Sequence, residues 1–301
     1  MNDEVRRSRE RVSRRRALSL GGTVGLAGLI AACTDRSDTS TAATTTAAGT
    51  VAATTDDPLL ALLDSAPTCI PSKEETQGPY WFDVDSIRSD VREGRPGLEL
   101  QLAMRVQDLD DCATPISSAV VEIWHCDAGG SYSGFESGSA AANGPGMSGQ
   151  AGGQGAPGGA PGGQGGPPDR ADASGETSDG SYSSGEAEAT TSDDGTYLRG
   201  AQATDASGIV RFTTIYPGWY RGRTVHIHIK VHIDRQTVLT SQLFFDDDLS
   251  DAIFAEASPY TDHAGRGTRN DTDGIFDETG ILTTARQDAV VLAAINLGIT
   301  G

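Results

Sequence analysis

Four side chains near the middle of the chain could together bind a metal ion: Tyr132, Tyr220, His226 and His228. Both histidines lie in VHIHIKVHID, residues 225–234, whose alternation of apolar and polar residues is typical of a β-strand. On a strand the two imidazoles point to the same face, one pleat repeat apart, and can share one metal ion. Two tyrosines would complete a site of two nitrogens and two phenolate oxygens. That donor set favours a hard, oxidised metal such as ferric iron.

The same strand also fits a structure without a metal. Its polar face would carry His226, His228, Lys230 and His232, as the solvated face of a half-buried antiparallel strand would. A single tyrosine usually buries its ring and leaves its hydroxyl at the surface. The ligand hypothesis therefore depends on the sequence around these residues.

The N-terminus has the character of an export signal. Arginines crowd residues 6–16, and an apolar run follows from Leu18 to Ala32. That run is shorter than the roughly 20 residues of a membrane span. Its last residues, LIAAC, resemble a lipoprotein cleavage box that ends in Cys33. We therefore predict a twin-arginine-type/lipoprotein signal over 1–32 and an exported protein, either secreted or attached to the membrane only through lipid on Cys33.

The bulk composition limits the partners and the redox state. Residues 33–57 are rich in Thr and Ala, which predicts a flexible tether. The net charge of −19 leaves no basic surface for nucleic acid. Export permits disulfides, and we expect Cys69 to pair with Cys112 and Cys126 to be buried as a free thiol, although three thiols leave the pairing open.

Residues 58–301 are predicted to form one all-β domain, a single β-sandwich. Gly, Pro and Asp separate short alternating or apolar segments, as strands and turns require. The predicted strands are 98–106, 119–125, 202–204, 210–215, 225–233 and 238–245. We also predict a short helix over 58–64 and a C-terminal helix over Thr284–Ile295.

A glycine-rich segment interrupts this domain. Residues 136–193 consist mainly of Gly, Ser, Ala, Pro and Gln. Such a composition buries too little apolar surface to offset its ordering entropy, so we predict a long disordered loop insertion. It begins four residues after Tyr132, at the mouth of the candidate site.

Several segments together resemble one enzyme family. They are TCIPSKEETQGPYWFD (68–83), AVVEIWHCDAGGSYSGF (119–135), TYLRGAQATDASGIVRFTTIYPGWYRGRTVHIHIKV (196–231) and SQLFFDDD (241–248). In order and context they resemble the intradiol ring-cleavage dioxygenases. Those enzymes use O2 and non-haem Fe(III) to open catechol-type rings between the two hydroxylated carbons, giving muconate-type diacids.

The resemblance implies roles for eight residues. The Fe(III) ligands would be Tyr132, Tyr220, His226 and His228, with Tyr220 and His228 axial. Tyr220 would also act as a catalytic base, and Arg223 would stabilise charge on the substrate. The substrate-binding residues would be Arg223, Gln242, Tyr80 and Trp219. Trp219 departs from the proline common in the better-known members, which suggests an altered pocket wall.

Two other function classes compete with a dioxygenase. An exported copper- or zinc-binding sandwich would also use an H-x-H strand, but it needs further histidines and leaves both tyrosines unexplained. A catalytically inactive binding lipoprotein could retain the sandwich, although the intact ligand set argues against it. The sequence leaves open which catechol is the substrate and whether the protein is a monomer or, as many related enzymes are, a homodimer.

Overall fold

Strands dominate the part of the chain that the computed structural model describes, which is residues 57–68, 70–143, 182–183 and 185–300. The strands are β1 (Glu99–Asp108), β2 (Val120–Trp124), β3 (Arg199–Ala203), β4 (Ile209–Ile215), β5 (His226–Ile233), β6 (Gln236–Phe244), β7 (Thr283–Gln287) and β8 (Val290–Ile299). The α-helices are α1 (Pro58–Ser65), α2 (Glu136–Asn143) and α3 (Asp247–Glu256), and 3-10 turns lie at Tyr260–His263, Asn270–Thr272 and Glu278–Gly280.

The strands form two four-stranded sheets, ordered β4-β1-β8-β7 and β3-β2-β5-β6. Neighbouring strands are antiparallel except β1 and β8, which are parallel. Alternate side chains of both sheets, such as Leu102, Ile227 and Ile229, are fully buried in one shared core. The predicted all-β sandwich is confirmed, because each sheet buries one face of alternating apolar side chains against the other.

Helix α1 covers the outer face of the first sheet. The side chain of Asp57 accepts hydrogen bonds from two backbone N–H groups of its first turn, and Pro58 occupies the first helical position. Leu59 and Leu63 then pack against Ala103 and neighbouring alanine and leucine side chains of β8. The helix predicted over 58–64 is therefore confirmed.

The outer face of the second sheet is also buried, although it is polar. His226, His228, Lys230 and His232 of β5 are at most 2% exposed. The interpretation of this face as solvated is therefore wrong. Buried polar side chains need partners, and the loops that cover the sheet bring them within reach.

The C-terminal helix predicted over Thr284–Ile295 is wrong, because this stretch forms β7, a turn at Asp288 and most of β8. Its Ala and Leu residues favour a helix locally. Strand β8, however, lies between β1 and β7 and is buried on both faces, so its sequence lacks the alternation that marks a half-exposed strand.

The insertion predicted over 136–193 is structured at both ends. Helix α2 begins at Glu136, and the Ala189 N–H donates to the Trp81 carbonyl oxygen at 2.9 Å. Asp193 accepts hydrogen bonds from the backbone N–H groups of Gly134 and Glu136. The remainder of the predicted insertion, 144–181 and residue 184, lies outside the described residues.

Other predictions concern residues that the structure does not describe. These are the signal over 1–32, Cys33, the tether up to residue 56 and Cys69. Cys112 is disulfide-bonded, and its predicted pairing with Cys69 stays a prediction. Cys126 is a free, buried thiol, as predicted. No helix in the described part of the chain has the length and apolar character that crossing a lipid bilayer requires.

Candidate metal centre

Two loops and one strand bring the four candidate ligands together. Tyr132 follows the end of β2, Tyr220 lies in the loop before β5, and both histidines lie on β5. The two loops are in close contact, since the Gly218 N–H donates to the Asp127 carbonyl oxygen at 3.0 Å. A Cβ atom at Gly218 would lie only 2.3 Å from that oxygen. Glycine is therefore required there for the loops to approach.

The four side chains converge on the Nε2 atom of His226. The hydroxyl oxygen of Tyr220 lies 3.1 Å from it and that of Tyr132 lies 3.5 Å from it. Nε2 of His228 lies 3.2 Å from it. Donors that share one metal ion at about 2.1 Å lie about 3.0–3.4 Å apart. The distances of Tyr220 and His228 from Nε2 of His226 lie in this range, and that of Tyr132, 3.5 Å, lies just beyond it. The spacing is therefore close to that of ligands of one ion.

The tautomer of His226 leaves a lone pair directed at this cluster. Its Nδ1 lies 2.7 Å from the carbonyl oxygen of Thr224, so Nδ1 carries the proton and donates it. Nε2 then has a single lone pair, yet three potential ligands and a nitrogen of Arg223 surround it within 3.5 Å. A cation bound between the two imidazole nitrogens and the two tyrosine oxygens would use the lone pairs of all four. The donor set thus fits a metal ion.

Burial keeps the histidines neutral and the tyrosines protonated when no cation is present. Desolvation, and secondarily the charge of Arg223, hold the pKa of His226 and that of His228 well below the ordinary value. Desolvation raises the pKa of Tyr220 to about 12, against an opposing effect of Arg223. It raises the pKa of Tyr132 further. Only a strong cation would make these phenols into phenolate ligands at neutral pH.

His228 is held by packing rather than by hydrogen bonds. Its imidazole stacks on the indole of Trp124, with ring centroids 4.9 Å apart and planes 9° apart. On its other side, a Cβ atom at Gly78 would lie 3.2 Å from the imidazole carbon Cε1. Nδ1 of His228 is buried without a hydrogen-bond partner in the structure. Shape alone therefore fixes the direction of its Nε2.

Arg223 and Gln242 lie at one side of the cluster and contact each other. Nη2 of Arg223 donates to Oε1 of Gln242, and Nη1 lies 3.5 Å from Nε2 of His226. The guanidinium is also paired with the buried carboxylate of Asp273 at 2.9 Å. A positive charge thus lies beside the candidate ligands, with a counter-charge behind it.

The two aromatic residues predicted for the pocket occupy different places. The ring of Tyr80 stacks on that of Tyr132, with centroids 4.7 Å apart, and lies 5.1 Å from that of Phe135. It is half-buried and forms an aromatic wall beside the cluster. Trp219 precedes Tyr220, and its indole stacks on the imidazole of His263.

The other histidines have partners of their own. His125 is buried between Thr214 and the Cys126 carbonyl, and His232 contacts Thr237. Across the described residues, no group of three or more His, Cys, Asp or Glu side chains could hold a metal ion. Nothing in this part of the chain supplies the extra histidine ligands of a copper or zinc sandwich.

Comparison with models of protein families found no match, and comparison with curated proteins found none. Solved structures do match. An intradiol ring-cleavage dioxygenase from Tetranychus urticae is 29% identical, with a TM-score of 0.58, over 77% of this chain and 95% of that one. A second dioxygenase is 28% identical, with the same TM-score and coverage. The dioxygenase domain of a carbohydrate-binding fusion protein from Streptomyces sp. SirexAA-E is 21% identical, with a TM-score of 0.46, over 77% and 99%.

The structural relatives of this chain are intradiol ring-cleavage dioxygenases. The similarity noted in the sequence thus extends to the fold and to almost the full length of those dioxygenases. It supports an oxidoreductase of the dioxygenase class.

The sequence did not point to two residues at this candidate centre. Trp124 was predicted only as part of a strand, yet it forms the wall behind His228. Asp273 lies about fifty residues beyond Arg223, with no motif around it, and only the folded chain joins the two.

Proposed function

We propose that the protein is an Fe(III)-dependent dioxygenase that cleaves catechol-type rings between their two hydroxylated carbons and gives muconate-type diacids. The observation that carries this proposal is the convergence of two tyrosine oxygens and one histidine nitrogen within 3.5 Å of Nε2 of His226. Tyr132, Tyr220, His226 and His228 would hold the iron. When bound there, ferric iron would supply the Lewis acidity that prepares a bound catechol for reaction with O2.

The two tyrosines differ in a way that suits different roles. Tyr132 is fully buried beneath Tyr80, whereas Tyr220 is partly exposed. As a phenolate, Tyr220 can accept the proton of an incoming catechol hydroxyl at its Oη and act as a general base. Tyr132 is the fixed member of the pair. Tyr80 offers an aromatic face for a flat ring.

Arg223 and Gln242 would orient the substrate and stabilise its charge. The guanidinium lies beside the ligand cluster in a buried site, where a positive charge favours an anion that develops on the ring. Gln242 holds the guanidinium by accepting from it and donates its own Nε2–H to the Thr76 carbonyl at 2.9 Å. The arginine is therefore pre-oriented before substrate arrives.

We further propose that the substrate is an uncharged catechol rather than a carboxylated one. Arg223 is a cation beside the cluster, and Asp273 compensates its charge. The acidic chain as a whole also repels anions. We expect kcat/KM to be higher for catechol than for protocatechuate.

Export and lipid attachment at Cys33 are also proposed, on the sequence of residues 1–33 alone. We expect the protein in the membrane fraction, with lipid on Cys33 by mass spectrometry. A Cys33→Ala variant should lack the lipid, and an unlipidated wild-type protein would contradict the anchor.

A visible spectrum of the purified protein tests the main proposal. Tyrosinate-to-iron charge transfer should give a broad red-purple band that changes when catechol is added in air, with O2 uptake and a muconate product. A protein that stays colourless after loading with ferric iron has no tyrosinate–iron site. A coloured protein that consumes no O2 with any catechol would be an inactive binding protein.

A further inference from the structure

We propose that Asp273 is a positioning residue that sets both Arg223 and His226 in the candidate centre. This inference rests on the proposed function for its catalytic consequence, but its geometric part concerns the protein without metal. Asp273 touches neither the ligand cluster nor the place of a substrate. It acts through Arg223 and Thr224, the two residues to which it is hydrogen-bonded before β5.

The carboxylate of Asp273 is buried, and both of its oxygens accept hydrogen bonds. Its side chain is 1% exposed. It accepts from Nε of Arg223 at 2.9 and 3.2 Å, from the Thr224 N–H at 2.8 Å and from the Ile275 N–H at 2.9 Å. A buried carboxylate with these four contacts has little freedom to rotate. It is therefore a fixed point to which the segment before β5 is attached.

The contact with Thr224 reaches His226 through the backbone of that single residue. Asp273 binds the N–H of Thr224, and the carbonyl of the same residue accepts from Nδ1 of His226 at 2.7 Å. The Thr224 hydroxyl donates to Asn270 at 2.7 Å, so the 3-10 turn before Asp273 holds this residue as well. Because Nδ1 carries the proton, Nε2 keeps its lone pair toward the cluster. Partners of this kind orient a histidine ligand and fix its tautomer.

The contact with Arg223 fixes the orientation of its guanidinium group. Nε is taken by Asp273 and Nη2 by Gln242, which leaves Nη1 nearest to Nε2 of His226. Two anchors on a planar guanidinium fix its plane. Without the carboxylate, Arg223 would keep only Gln242 and could turn away from the cluster. One side chain thus controls a candidate ligand and the neighbouring positive charge.

Asp273→Asn is the variant that tests this proposal, because it keeps the shape and one acceptor but loses the charge and the second acceptor. We expect iron to dissociate 10–100-fold faster and kcat per bound iron to fall by a similar factor, as partners of ligands typically cause. KM should change less than kcat. Asp64→Asn is the control, since Asp64 also pairs with an arginine, Arg105, at 2.6 Å, but between helix α1 and strand β1, outside the centre.

The imidazole nitrogens of His226, observed by long-range 1H–15N NMR of the metal-free protein, give a readout that requires neither iron nor turnover. The wild type should show a single Nδ1–H tautomer, and Asp273→Asn a mixture or faster proton exchange. An Asp273→Asn variant that loses only thermal stability and keeps the tautomer, the iron retention and kcat, as Asp64→Asn should, would overturn the proposal.

The outcomes separate the two proposals. If the wild type neither binds iron nor cleaves a catechol, yet the His226 tautomer depends on Asp273, then the proposed function fails and the positioning role stands. If iron binding and cleavage are present but independent of Asp273, then only the positioning role fails. Should Asp273→Asn not fold, Asp273→Glu keeps the charge and displaces the carboxylate by one methylene, and the same measurements decide.

Discussion

Trp219 and His263 are joined by a ring stack and by two reciprocal polar contacts. Their ring centroids lie 4.4 Å apart, with 20° between the planes. Nε1 of Trp219 donates to the His263 carbonyl at 2.8 Å, and Nε2 of His263 lies 2.9 Å from the Trp219 carbonyl. Because Trp219 immediately precedes Tyr220, this pair ties the Tyr220 loop to the turn after α3.

His263→Ala should therefore loosen the loop that carries Tyr220. It removes the ring stack and the Nε2 contact but keeps the backbone carbonyl that accepts from Trp219, and we expect a loss of about 1–2 kcal/mol in the free energy of unfolding. The tyrosinate band of the iron-loaded protein should also broaden. His263→Phe keeps a ring and the backbone contact but loses the Nε2 contact, so by urea denaturation and visible spectroscopy it should fall between the wild type and His263→Ala. An unaltered unfolding midpoint in His263→Ala would show that the imidazole of His263 does not stabilise this loop.

Substitution of single candidate ligands should separate colour from iron retention. Tyr220→Phe removes one phenolate, so the visible band should shift or bleach and the rate should fall, while iron is partly retained. His226→Ala removes the nitrogen at the middle of the cluster and should lose the iron, as measured by metal analysis. Tyr216→Phe is the control, because Tyr216 is buried and bonded to Ser250 outside the centre. Full iron occupancy in His226→Ala would remove that residue from the ligand set.

Gly78→Ala should disturb His228 beyond the effect on the backbone. Gly78 has a φ of +71°, and an added Cβ would lie 3.2 Å from the imidazole. Gly94 has a φ of +75° with nothing within 4 Å of such a Cβ. Both alanine variants should lose on the order of 1 kcal/mol through backbone strain. Only Gly78→Ala should weaken iron retention and alter the visible band. Equal iron retention in the two variants would show that the His228 ring can move away from the added methyl group without weakening the site.

The metal-free protein should lose stability as the pH falls below about 6.5, the ordinary pKa of an unfolded histidine. Burial lowers the pKa of His125 to about 4, although its bond to the Cys126 carbonyl acts in the opposite direction. Between these values the unfolded chain binds a proton that the folded chain does not. The free energy of unfolding is therefore undiminished above the pKa of the unfolded histidine, and it falls as the pH decreases toward the pKa of His125 in the folded protein.

Urea midpoints at pH 7 and pH 5 measure this dependence. Each unit of pKa shift corresponds to about 1.4 kcal/mol. His125→Gln should flatten the slope, with the remainder due to His226 and His228, whose pKa values are lowered in the same direction. A slope that is the same in His125→Gln and in the wild type would contradict the assignment.

The strand pattern could be predicted where one face of a strand differs from the other. Strand β5 alternates apolar and polar residues, and its prediction over 225–233 agrees with His226–Ile233. Strand β8 is buried on both faces, so its residues 290–295 show no alternation, and the helix prediction over Thr284–Ile295 fails there. Periodicity reports the difference between two faces, so it fails when both are buried.

The four candidate ligands could be proposed from spacing and from the surrounding segments, because the chain itself places His226 and His228 on one face and Tyr220 just before them. The side chains that support these ligands could not be proposed in this way. Trp124 reaches His228 through strand pairing, Asp273 reaches Arg223 from a distant turn, and His263 reaches Trp219 from another.

The sequence by itself determined the donor types, the strand that presents two of them and the acidic character of the chain, since these depend on residue identity and local spacing. Only the tertiary structure decided that the polar face of β5 is buried, that both tyrosines reach the same histidine nitrogen and that Asp273 stands behind Arg223. Burial and long-range contacts arise when separate segments pack together, and no local pattern records which distant segment will cover a face.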